Sequence, residues 1–336
     1  MIPHPATMYG LEALVLDATC IKELDSYHRS LLRMIQTLTE STAKPAIYLL
    51  TGTLPAQAEV HKKILNLFMT ILHRPGTPEY QVITRQLAVK QLDSNSWTTQ
   101  LRKLLHTYKL PPALVLAQAP PKSTIWKMRV REAIETYWEK ELIEDAAQMK
   151  SLKNLNTSIC ITGHTHPVWL TGSNPLQAMM ATVRAAMLVG RYPFTGEKVA
   201  GTRQTDSCPY CEEATPETTC HFILHCALYN DIRERMIRRL NKDTEGAFDN
   251  LSEEDQVKIM IDPSHIARSE EEAKRLEGDA RREVFAMHNR RAVKDGRGSM
   301  YQWAVARVRE GSGVLGAKYG KNGKKHRPLE PQSRFS

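Results

Sequence analysis

Apolar residues recur three and four positions apart through most of the chain. The stretches 21–38, 60–72, 97–108, 126–138 and 176–187 each place leucine, isoleucine, valine, methionine or aromatic residues on one face of a helix. A similar face follows Cys226, formed by Tyr229, Ile232, Met236 and Leu240. The pattern therefore predicts a mainly α fold.

Local residues mark where several helices begin. Thr53, followed by Leu-Pro, and Ser96 each precede an apolar stretch, and another helix is predicted from about Ser123. Ser252, with an acid three residues later, resembles a capping box. A charged helix is predicted from about Ser269, because acids fill its first turn and arginines lie near its end, which suits the helix dipole.

Other segments lack this periodicity. Residues 110–123 form a connector bracketed by prolines. Residues 154–175 hold several glycines and prolines, and we expect a loop or a short strand there. The segment 311–336 is rich in Gly, Lys and Pro and is expected to be a disordered basic tail.

Composition and charge narrow the classes of function. The 336 residues carry a net charge of +9 and a pI near 9.2, which suits a polyanionic partner such as RNA or DNA. The sequence contains no run of eighteen apolar residues, so no membrane span is predicted, and the N-terminus lacks a signal-peptide pattern. We expect an intracellular protein, cytoplasmic or nuclear, with no membrane partner. No nucleotide-binding loop or Ser-His-Asp order is visible, and no small-molecule substrate is expected.

Four of the six cysteines lie within CPYCEEATPETTCHFILHC, residues 208–226. In a reducing compartment such clusters bind metal more often than they form disulfides. Cys208 and Cys211 present two thiolates from one turn, and His221 and Cys226 complete a closed tetrahedral set. The spacing predicts one structural Zn²⁺ with these four ligands and no open position for catalysis.

Alternatives exist within the motif. Cys220 could replace His221, and His225 could compete with Cys226. On a regular helix His221 and His225 would share a face, so the favoured set needs a helix end or a kink before Cys226. Four buried thiols without a metal are the other alternative.

The cluster resembles the C-terminal zinc-binding region of reverse transcriptases from non-LTR, jockey-like retrotransposons. The resemblance rests on CPYC, PETTC and HFILHC, followed by ALYNDIR. Upstream, MYGLEALVLDATCIKELDSYHRSLLRMIQTL is similar to the start of the thumb in that family. AIYLLTGTLPAQAEVHKKILNLFMTIL and RQLAVKQLDSNSWTTQLRKLLHTYKLP are similar to the helical connection that follows. The resemblance covers about residues 5–245.

The resemblance implies an architecture and a function. We expect five regions: thumb-like helices (1–110), a helical connection (111–200), a zinc knuckle with its bracing helix (201–245), a charged helical region (246–310) and the tail (311–336). The palm of this family needs an aromatic-x-Asp-Asp turn to hold two Mg²⁺ ions, and the sequence contains no Asp-Asp pair. We therefore expect no enzyme activity, and interpret the chain as a C-terminal fragment that binds nucleic acid.

Basic residues after the cluster lie on one stripe of the predicted helix: Arg235, Arg238, Arg239 and Lys242. Such a stripe can lie along a phosphate backbone, with Lys324 and Lys325 of the tail adding non-specific contact. An ordinary solvated helix face and a solubilising tail are the plainer interpretations. A zinc-stabilised protein–protein interaction module is the alternative function.

A second motif, GHTHP at 163–167, resembles a metal-binding motif of calcineurin-like phosphoesterases. The further ligands of that family are not found in order, so His164 and His166 are expected in an ordinary loop. Trp97, Trp126 and Trp138 lie at helical spacing among leucines and are expected in the core rather than stacked on bases.

Overall fold

A computed structural model describes residues 8–89, 94–170, 174–192, 207–211 and 215–294. The chain divides into two units, residues 1–288 and 289–336, and of the second only 289–294 are described. The described residues are mostly helical, as predicted, and form no strand beyond one isolated antiparallel bridge between Ser207 and Pro216.

In the described ranges, seven helices precede residue 150: α1 Ala18–Ile35, α2 Lys44–Leu49, α3 Ala56–Leu72, α4 Pro78–Val89, α5 Trp97–Thr107, α6 Ala113–Gln118 and α7 Ser123–Ala147. Four more are described after it: α8 Pro175–Leu188, α9 Asn230–Asp243, α10 Glu253–Ile261 and α11 Glu270–Lys294. Short 3-10 turns lie at Leu11–Ala13, Lys150–Leu152, Thr157–Ile159, Pro167–Trp169, Ala227–Tyr229, Phe248–Asn250 and Pro263–Ile266. The segment expected as a loop or short strand is thus a loop with two such turns where it is described.

Helices α1 and α3 to α7 share an apolar core. Helix α3 is central and packs against α1, α5 and α7. Trp126 is fully buried and donates its Nε1 hydrogen to the carbonyl of Leu65 at 3.0 Å, so its one polar group is satisfied. Trp97 and Trp138 pack against the same core, as expected.

Several helices start at side-chain caps. Ser96 accepts from the amide of Thr99 at the start of α5, as predicted, and Asp17 caps α1 in the same way. Ser252 accepts from the amide of Asp255 and donates to its carboxylate, so the predicted capping pair is present at α10. Helix α7 begins at Ser123, as predicted.

A buried ionic group connects the later helices. Arg184 of α8 forms a two-bond pair with Glu277 of α11, with N···O distances of 3.2 and 3.0 Å, and also donates to two carbonyls at the end of α10. Arg281 lies 3.8 Å from the same carboxylate and donates to the carbonyls of Pro167 and Val168. These contacts fix the 163–170 loop between α8 and α11.

Gly52 is where the first helices meet that loop. Its carbonyl accepts from the amide of Gly163 at 2.8 Å, and the amide of His166 donates to Leu50 at 3.1 Å. The φ of Gly52 is +64°, in the left-handed region, and a Cβ there would overlap the backbone of His164. Only glycine allows this approach.

Candidate metal centre

The first two predicted ligands lie on a tight turn. Cys208 is buried, and its amide donates to the carbonyl of Thr215 at 2.8 Å. This bond and the neighbouring Ser207–Pro216 bridge hold the Cys208–Cys211 turn against the chain that leads to the next ligands.

The other two ligands lie on a π-helical turn, His221–His225. Its hydrogen bond runs from the amide of Cys226 to the carbonyl of His221 at 2.7 Å, a step of five residues rather than the four of an α-helix. This widened turn brings His221 and Cys226 to the same side. It is the kink that the sequence pattern required.

The four predicted ligand atoms converge. One atom from each of Cys208, Cys211, His221 and Cys226 lies within 4.8 Å of all the others. The Cys226 sulfur is 3.8 Å from both other sulfurs, and Cys211 Sγ is 3.4 Å from His221 Nε2.

These distances fit a tetrahedral ion. With bonds of about 2.3 Å to sulfur and about 2.05 Å to nitrogen, a tetrahedral zinc ion would hold two sulfurs about 3.8 Å apart and a sulfur and a nitrogen about 3.6 Å apart. A disulfide would need about 2.05 Å, and all four cysteines of the segment are free. The group can hold a metal ion.

Burial disfavours charge on the ligands of the cluster. Burial raises the pKa of the Cys208 thiol to about 11 and that of Cys226 to about 12, and it lowers the pKa of His221. Without a cation these groups stay neutral at pH 7. A divalent ion supplies the charge that thiolates need in this position.

Arg233 is a buried residue that the sequence analysis did not single out. It donates to the carbonyls of Leu224 and Cys226 and to Asn230 Oδ1, the last at 3.0 Å. It thereby satisfies carbonyls that the π turn leaves free. Burial lowers the pKa of Arg233, and the nearby Cys226 and Cys211 oppose that shift. An arginine next to Ile232 on the apolar side of α9 is the only sequence sign of this role.

The predicted basic stripe lies on α9, and two of its four side chains form ion pairs with a neighbouring helix. Arg235 and Arg239 both pair with Glu283 of α11, with N···O distances of 3.3 and 2.9 Å. Arg238 and Lys242 are exposed. The other two predicted contact residues, Lys324 and Lys325, lie outside the described residues.

The two alternative ligands, Cys220 and His225, lie apart from the four-residue group. They cluster instead with Glu253, at the start of α10. Neither replaces His221 or Cys226 in this arrangement.

The histidines of GHTHP do not form a site together. His164 is exposed, whereas His166 is buried and its Nε2 lies 3.5 Å from Asp262. Burial alone would raise the pKa of Asp262, but the nearby His166 and hydrogen bonds from Ser264 and from the amide of Asn156 lower it well below its usual range. His166 therefore belongs to a buried polar network.

No protein-family model, curated protein or solved structure matches this chain. Among the described residues, no helix is both long and apolar enough to cross a membrane. The resemblance to retrotransposon reverse transcriptases stays a prediction from the motifs.

Proposed function

We propose that this chain is a nucleic-acid-binding module, the C-terminal part of a reverse transcriptase of the non-LTR retrotransposon type, with one structural zinc ion. The observation that carries the proposal is the convergence of Cys208, Cys211, His221 and Cys226 within 4.8 Å. These are the positions that the family motif names, and three thiolates with one imidazole form a closed structural zinc set.

In this proposal the ion orders the start of a cationic helix. The π turn ends at His225, and α9 begins five residues later, after the Ala227–Tyr229 turn. Because Arg233 bonds to the turn's carbonyls from within α9, the helix and the metal-binding turn form one rigid piece. A preformed helix presents its charges to phosphates with a lower ordering cost on binding, because only the side chains remain to be ordered.

Arg238 and Lys242 are the central phosphate contacts of the proposal. They lie four residues apart on α9, both exposed, so both charges face the same side. Arg235 and Arg239 flank them and are positioned by Glu283, which offsets part of their charge.

The tail adds electrostatic attraction that does not depend on the base sequence of the nucleic acid. Residues 311–336 carry six Lys/Arg and one Asp/Glu, which is +5 of the chain's net +9. Lys324 and Lys325 belong to this segment. The function proposed is binding without polymerase chemistry, because the aromatic-x-Asp-Asp motif of the palm does not occur in the sequence.

The test is a titration of the full chain with RNA and with DNA at several salt concentrations. Binding through phosphates weakens with salt at a log–log slope of about 0.9 per contact on duplex DNA, so Arg238→Gln/Lys242→Gln should lower the slope by about 2. The matched control, Lys127→Gln/Arg129→Gln, makes the same change of net charge on exposed positions of α7 and should leave the slope unchanged. Absence of binding at low salt would overturn the proposal.

A zinc-stabilised protein–protein interaction module is the second candidate. The pairing of Arg235 and Arg239 with Glu283 favours this candidate, because the ion pairs neutralise part of the charge of two of the four stripe cations. A protein interface depends far less on salt than phosphate binding does, so the same titration series separates the two functions.

A further inference from the structure

The π turn carries a second pair of metal-ligating side chains. Cys220 and His225 are five residues apart, as His221 and Cys226 are, and the same widened turn brings each pair together. Their ligand atoms and a carboxylate oxygen of Glu253 all lie within 4.8 Å of one another. Nε2 of His225 is 3.5 Å from Oε1 of Glu253.

The structure holds Glu253 in this position. It is the first residue of α10, whose start is fixed by the Ser252 cap, and α10 packs against the π turn. The next residue, Glu254, pairs with Lys153 at 3.6 Å instead. Of these two neighbouring acids, only Glu253 belongs to the cluster.

We propose that Cys220, His225 and Glu253 form a second binding site, for an exchangeable divalent ion of the zinc class. Thiolate, imidazole and carboxylate are the three ligand types that zinc takes in proteins. Bonds of about 2.0–2.3 Å would hold the ligand atoms about 3.3–3.7 Å apart, so small rotations of exposed side chains complete the site.

The second site differs from the first in access and in ligand number. The side chains of His225 and Glu253 are 46% and 68% exposed, whereas Cys208, His221 and Cys226 are buried. Three protein ligands leave a coordination position for water, which is typical of catalytic or labile zinc rather than of structural zinc. The second ion therefore binds more weakly and exchanges with solvent.

The first experiment is equilibrium dialysis of the full chain against graded Zn²⁺, followed by metal analysis. The wild type should saturate at two ions per chain, and Cys220→Ser at one. Glu253→Gln should weaken the second ion roughly tenfold or more. The controls Cys20→Ser, an exposed cysteine elsewhere, and Glu254→Gln should retain both ions.

Cobalt supplies a second readout. With Co²⁺, filling the second site should add a thiolate-to-cobalt absorption that disappears in Cys220→Ser, while the absorption of the Cys3His site remains and reports that the variant is folded. A wild type that saturates at one ion, or a second ion that persists in Cys220→Ser, would overturn the proposal. The result does not depend on whether the chain binds nucleic acid.

Discussion

The helices before residue 150 and the segments after it bury different kinds of residue. In the first part the described buried polar side chains are neutral or histidine: His28, Gln36, Thr42, His61, Thr98 and Thr99. In the second, within residues 150–288, buried charged residues appear: Arg184, Glu217, Arg233, Asp262, Glu277, Arg281 and Glu283. The first part is held by removal of apolar area from water. The second also buries apolar residues and, in addition, needs a specific partner for each desolvated charge.

The difference changes how each part responds to a single substitution. Loss of one apolar group from the α3 core leaves a cavity, and neighbours can partly close it. Loss of one partner from a buried ionic network leaves a desolvated charge without its counter-charge. We therefore expect the second part to be the more sensitive to conservative changes.

The largest expected effect comes from the proposed zinc ligands. Structural zinc contributes about 10–16 kcal/mol in small zinc peptides, which is comparable with the whole stability of a domain. Cys208→Ser/Cys211→Ser, or removal of the metal by a chelator, should unfold the π turn and α9 while α3 stays folded. Hydrogen exchange read by mass spectrometry should show lost protection at 221–243 and retained protection at 56–72.

Cys20→Ser is the matched control for this experiment, because Cys20 is exposed and outside the cluster. Protection of α9 that survives loss of both cysteines would mean that apolar packing alone holds this part.

Glu277→Gln is expected to have the next largest effect. It removes the negative charge shared by Arg184 and Arg281, two buried arginines, and should lower the free energy of unfolding by about 3–5 kcal/mol. Glu272→Gln makes the same change on the same helix, but its charged partner Arg275 is half exposed, and a Gln oxygen can still accept from the amide of Arg268, so about 1 kcal/mol or less is expected. Urea unfolding measures both, and equal values would remove the distinction drawn between buried and surface charges.

His61 gives the smallest of the three main effects and tests the first part. Burial lowers its pKa to about 4, and Tyr108, which accepts from Trp138 Nε1, can donate its one hydroxyl hydrogen to His61 Nδ1 at 2.7 Å. The folded state thus favours neutral histidine. As the pH falls from 6.5 to 4, the unfolded chain binds a proton that the folded chain does not, so stability should fall by about 3 kcal/mol.

The measurement for His61 is the free energy of unfolding at several pH values in that window. His61→Gln should flatten this part of the profile compared with the wild type. Superimposable profiles would show that His61 does not titrate differently in the two states.

The sequence predicted much of the first part because its helices follow a local pattern. Apolar spacing located α3, α5 and α7, and Ser96 and Ser123 marked two of their starts. Each of these features depends on residues within a few positions of one another, so an isolated stretch of sequence contains it.

The candidate site was predictable in part. Ligand types and spacing named the four residues that converge, and the spacing of His221 and Cys226 required a departure from a regular helix. That the departure is a π turn, with Cys220 and His225 directed to Glu253, depends on where α10 packs.

The buried ionic network could not be predicted from spacing. Glu277 and Arg184 are 93 residues apart, and each lies on a helix whose pattern gives no reason to pair it with a particular distant charge. Arg233 could be noticed only as a charged residue beside an apolar face. Two of its three partners are backbone carbonyls, which every residue has.

Gly52 joins the two parts where there is no room for even one methyl group. Its carbonyl accepts from the amide of Gly163, three residues before His166. The Nε2 atom of His166 lies 3.5 Å from the carboxylate of Asp262. Any side chain at position 52 would displace the loop at His164 and move the imidazole of His166 away from the carboxylate of Asp262. The missing side chain of Gly52 is therefore a condition for the contact between His166 and Asp262 in the buried polar network.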